Sequence, residues 1–144
     1  MGLFSQLRAG KADDRELGHA LWRADHDRFR RAVDRFHQVL EGAESNALYA
    51  QLLPQADRLG ALIPSVREAC VACQRLAPVE GDDVPGALEP AHRALSRAAN
   101  EAATAAQAAA MARYSTEQDA VVATVTRRIG IVEQRVREAL EASR

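Results

Sequence analysis

Lysine, cysteine and aromatic residues are all scarce in this chain: Lys11 stands alone beside 18 arginines, and 144 residues hold two cysteines and six aromatic side chains. Two thiols make no disulfide framework, and a chain of this length buries about 70% of its unfolded surface without one. Neither sign of charge is in excess. With a formal net charge of -1 and a pI of 6.4, no overall field draws the chain to DNA, RNA or an anionic membrane. No window approaches about 18 uncharged apolar residues, since even the alanine-rich tract 94–112 carries Arg97, Asn100, Glu101 and Gln107. Met1 to Lys11 has no apolar stretch of signal-peptide length. These absences predict a cytoplasmic protein with no integral membrane segment and no nucleic-acid partner. A Gly-rich phosphate loop, an H-E-x-x-H pair and a nucleophile elbow are missing as well.

What is present favours helix. Alanine supplies about a fifth of the residues, and the β-branched residues collect toward the C-terminus. Arginine used almost without lysine fits a GC-rich bacterial genome and says nothing of function. Four segments keep a three-four spacing of apolar side chains. The first, Asp13 to Glu41, carries His19, Trp22, His26, Phe29, Val33, Phe36 and Leu40. The second, Ser45 to Ala77, carries Tyr49, Leu52, Ala56, Leu59, Ile63, Val66, Cys70, Cys73 and Ala77, with Pro54 and Pro64 predicting kinks. Residues 78–90 read as the one clear loop. The third segment, from Gly86 or Pro90 to Arg113, presents Leu88, Leu95 and a row of alanines. The fourth presents Val122, Val125, Ile129, Val132, Val136 and Ala139.

Segments of such equal length predict an all-α, antiparallel up-down-up-down four-helix bundle of one domain, 1–144, with residues 1–12 as a short N-terminal arm. The alternative is a helical hairpin plus one long C-terminal helix that dimerises, because the seams of the third and fourth segments differ in phase around 114–116.

Two sets of residues have spacings that chemistry uses. Glu16-x-x-His19 and Glu89-x-x-His92 have the helical spacing of di-iron carboxylate centres in bundles, where the other two helices add one glutamate each. On the derived seams Glu68, Glu89 and Glu138 point outward, so that centre does not assemble. Cys70-Val71-Ala72-Cys73 lies deep in a helix, without the preceding strand that a redox C-x-x-C uses. Hairpin levels place His19, Cys70, Cys73 and His92 at one end of the bundle, a candidate zinc or iron site. The plainer reading makes the cysteines small core residues and His19 and His26 core histidines. Arg28, Arg30, Arg31 and Arg35 alternate with Asp25, Asp27 and Asp34, which predicts a solvated face with an Asp27–Arg31 pair.

No family's full pattern is matched. The sequence therefore predicts a non-enzymatic helical-bundle interaction or scaffold protein, without a cofactor, whose partner is another protein or a second copy in a homodimer. The alternative is a small metal- or ligand-binding bundle that uses the core histidines and cysteines. Leu3, Phe4 and Leu7 leave open a weak peripheral membrane contact through residues 1–10.

Overall fold

A left-handed glycine divides the first helical segment. In a computed structural model, residues 3–78, 81 and 83–144 are described, and among them the chain forms α-helices and no strand. Met1 and Gly2 of the expected arm, and Val79, Glu80 and Asp82 of the expected loop, lie outside the described residues. The helices are α1 Leu3–Leu17, α2 Leu21–Glu41, α3 Asn46–Gly60, α4 Ile63–Leu76, α5 Glu89–Ala112 and α6 Gln118–Ala142, with a short 3-10 turn Gly86–Leu88 leading into α5. Gly18 has φ +72°, a conformation that ends α1 and turns the chain before α2. The first segment is thus two helices, and residues 3–12 of the expected arm are helical, the first part of α1.

The second segment is also two helices. Ser45 caps α3, its hydroxyl accepting from the Leu48 N–H at 3.3 Å. Pro54 sits exposed within α3 without ending it. The chain breaks at Ala61 and Leu62, just ahead of Pro64, which lies in the first turn of α4 where its missing N–H costs no bond. Residues 113–117 turn between α5 and α6, the Ser115 hydroxyl accepting from the Glu117 N–H at 3.0 Å. One continuous C-terminal helix is therefore not formed. Instead α5 and α6 pack back to back along their lengths, and Arg128 donates to Glu101 at 3.2 Å across them.

The pairing of helices is more unusual than their number. Helices α4 and α5 follow one another in sequence but barely touch, while α2 packs along α5. These two run in the same direction. Asp25 near the start of α2 meets His92 near the start of α5, and Arg35 and Val39 share a cleft with Ala109 and Arg113 near their ends. The remaining sides are α3 and α4 against α2 and against α6, tied by Gln51 to Asp119 at 2.8 Å and by Arg58 to Glu133. Alanine makes this possible. Ala91, Ala98, Ala102, Ala105 and Ala112 of α5 are fully buried, and such small side chains let two neighbouring backbones approach closely.

The core otherwise follows the apolar seams. Trp22, Phe29, Phe36, Leu52, Leu59, Val66, Leu95, Val125, Ile129 and Val132 are buried. Tyr49, expected in the seam, is exposed, and Leu48 is buried in its place. Helix α1 joins this body through its second half: Leu17 is buried, and Arg67 of α4 bonds both Asp13 and Glu16 of α1.

Candidate functional site

Buried polar side chains gather where the start of α2, α4 and the start of α5 meet. Asp25 is held inside by its place one turn after Trp22 and one turn before Phe29, both core residues. Its carboxylate, 1% exposed, lies 2.6 Å from His92 Nδ1. With the carboxylate ionised, Nδ1 carries the hydrogen and donates it. The Trp22 indole meets the His92 ring edge-on, centroids 6.4 Å apart at 76°, and its Nε1–H points to the Ala77 carbonyl at 3.4 Å. Burial pushes the Asp25 carboxyl above its ordinary value, against the His92 hydrogen bond and the charges of His92 and Arg28.

Beside it, His26 is buried. Its Nδ1 lies 2.9 Å from Asp27 Oδ1, and Asp27 also accepts from Arg23 at 3.0 Å. With Asp27 ionised, Nδ1 carries a hydrogen and donates it, while Nε2 is buried and has no hydrogen-bond partner among the described residues. Both thiols are free and fully buried. Burial pushes Cys73 up to about 11, helped by the Asp25 charge. Cys70 is pushed well above its ordinary value, first by burial and then by the charges of Asp25, Cys73 and Asp27. At neutral pH neither is a thiolate, so neither is a ready nucleophile.

Of the residues singled out from the sequence, the structure brings Cys70, Cys73 and His92 to this end, where Asp25 bonds His92 and its charge reaches both thiols. It does not bring His19. That side chain is 77% exposed, its Nδ1 3.7 Å from Asp14, because the break at Gly18 takes it out of the phase that α2 keeps from Leu21 onward. The expected core histidine at position 19 is therefore a surface residue, while the one at 26 is in the core. Among the described residues no three histidine, cysteine, aspartate or glutamate side chains stand together as a metal-holding group. The carboxylates of the two Glu-x-x-His motifs turn outward, Glu16 to Arg67 and Glu89 to Arg93.

Asp25 is the residue that sequence reasoning placed wrongly. Reading it with Asp27 and Asp34 as a solvated face ignored that 22, 25 and 29 keep the three-four spacing of the core. Asp27 in turn pairs with Arg23 one turn before it rather than with Arg31. Arg28, Arg30, Arg31 and Arg35 are exposed, as expected. No described helix is long and apolar enough to cross a membrane. Compared with known proteins, the chain matches no family model, no curated protein and no solved structure.

Proposed function

We propose that this chain is a non-enzymatic interaction module that works by presenting helical surface to a protein partner, a second copy of itself first of all. In this reading it is an up-down-up-down four-helix bundle whose second rod is the broken pair α3 and α4 and whose α4-to-α5 connection crosses from one side to the other. The free thiols suit a reducing compartment such as the cytoplasm.

The observation that carries the reading is the first half of α1. Phe4 is 75% and Leu7 54% exposed, one turn apart, on a helix whose other half is docked through Leu17 and Arg67. Isolated apolar side chains on a surface need no explanation. Two large ones on adjacent turns of a projecting helix make a patch that association covers. The buried polar cluster supports the same reading, since its thiols are neutral and Asp25 is already engaged.

Sedimentation velocity across a wide concentration range tests it, with Phe4→Ser/Leu7→Ser as the variant. The expected result is a concentration-dependent dimer that the double variant abolishes, with the melting temperature of the monomer unchanged. A chain that stays monomeric throughout, or a variant that associates as well as the parent, overturns the reading.

A further inference from the structure

The chain has four histidines, and their ring nitrogens stand in four different surroundings. His19 comes no nearer than 3.7 Å to the Asp14 carboxylate, beyond hydrogen-bond reach. His37 has Nδ1 2.9 Å from the Val33 carbonyl, an uncharged acceptor. His26 has Nε2 sealed inside. His92 alone combines a buried carboxylate on Nδ1, Asp25 at 2.6 Å, with a side chain that is 27% exposed. Its Nε2 makes no hydrogen bond among the described residues and, unlike that of His26, is not buried, so it opens to solvent.

The hydrogen held on Nδ1 by ionised Asp25 leaves Nε2 an outward lone pair. A bond formed at Nε2 makes the ring cationic while Nδ1–H stays in place, and a carboxylate on Nδ1 stabilises that cation. The ring is fixed in this pose between Asp25, which belongs to the core, and the edge-on Trp22 indole. Arg28, one turn beyond Asp25, is exposed and has no carboxylate partner among the described residues. It stands near enough for its charge to act on Asp25. The nearest carboxylate on α5 itself, Glu89 one turn before His92, is engaged by Arg93 at 2.6 Å. A nucleophilic nitrogen with a free cation at its edge suits an electrophile that carries negative charge.

We propose that His92 accepts a phosphoryl group on Nε2 from an acyl phosphate. The Nε2 lone pair attacks phosphorus, the N–P bond forms as the P–O bond to the acyl group breaks, and the departing carboxylate takes that electron pair. Nδ1–H remains hydrogen-bonded to Asp25 throughout, so no proton is transferred. The product is a cationic ring with Asp25 on one nitrogen and the phosphoryl group on the other, facing water. His92 is the nucleophile and Asp25 a positioning residue. Neither belongs to the α1 surface on which the self-association reading rests.

Incubation of the full chain with acetyl phosphate, followed by intact mass and phosphorus NMR, tests it. The expected result is one phosphoryl group, labile in acid and stable in alkali as an N–P bond is, located on His92 by fragmentation and absent from His92→Gln. Asp25→Asn slows its formation at least about tenfold. Nitrogen NMR of His92 shows the hydrogen on Nδ1 in the parent and shared between both nitrogens in Asp25→Asn, a change that a merely structural role would not produce. Arg28→Gln, an exposed position where folding is not at stake, slows the reaction with acetyl phosphate but not that with diethyl pyrocarbonate, a neutral electrophile. Melting curves confirm that each variant is folded. No phosphoryl group on His92, equal labelling of His19 or His37, a parental rate in Asp25→Asn, or equal slowing of both reagents in Arg28→Gln overturns the proposal. Phe4→Ser/Leu7→Ser leaves the rate unchanged, which separates failure here from failure of the association reading.

Discussion

At the scale of the residue, Asp25 shows how burial and pairing compete. Its carboxyl is raised above the ordinary 3.8 because burial outweighs the His92 bond and the charges of His92 and Arg28. A raised folded value means that the stability this group contributes is fully present below the unfolded value and is lost as the pH rises through the folded one. The ionised carboxylate is thus a cost near neutrality that His92 only partly offsets. Asp25→Asn removes this titration. Urea midpoints of both proteins are expected to shift in favour of the variant as the pH rises from about 3.5 to 5.5. A constant difference over that range, or one that moves toward the parent, would show that Asp25 does not titrate from a buried state. This residue was legible from its spacing but was obscured by its charged neighbours Asp27, which pairs with Arg23 and His26, and Arg28, which faces water. His92 was legible as a motif member, but only folding shows that Asp25 meets its Nδ1.

Among the elements, the breaks were the hardest to see. The periodic run that includes His19 and Trp22 looks continuous, yet Gly18 stops one helix and Leu21 starts another. Nothing local demands the positive φ. Glycine tolerates a helix interior at modest cost, and only the docking of α1 against α4 decides that the chain turns there. A Cβ at Gly18 would stand 2.8 Å from the Gln74 amide, in addition to its left-handed backbone. Gly18→Ala is therefore expected to lose about 1–2 kcal/mol in denaturant unfolding. Gly10 within α1 has nothing within 4 Å of such a Cβ, and Gly10→Ala is expected to gain about 0.5–1 kcal/mol. Equal effects at the two positions would mean that the chain does not turn at Gly18. Pro54 and Pro64 are the opposite case, since the sequence marks both as interruptions. Only Pro64, beside the turn at Ala61 and Leu62, coincides with a break.

For the whole molecule, the decisive residues are the alanines of α5, which meet α2 on one side and α6 on the other. Ala102 is fully buried whereas the adjacent Ala103 is exposed. Ala102→Leu is expected to cost about 1–3 kcal/mol by forcing two helices apart. Ala103→Leu is expected to leave the melting temperature within a degree or two of the parent. Similar melting temperatures for the two variants would show that α5 is not sandwiched. The sequence by itself determined the helical class, the apolar seams of α2, α5 and α6, the burial of Cys70, Cys73 and His26, and the outward arginines, because each of these follows from local periodicity. Only the tertiary structure decided that α2 lies beside α5 in the same direction, that Asp25 meets His92, and that Arg35 and Arg113 share a cleft. Periodicity tells which face of a helix turns inward, but several neighbours can cover one apolar face at similar gain. The choice among them rests on how closely particular surfaces approach, here the small-residue faces of α5.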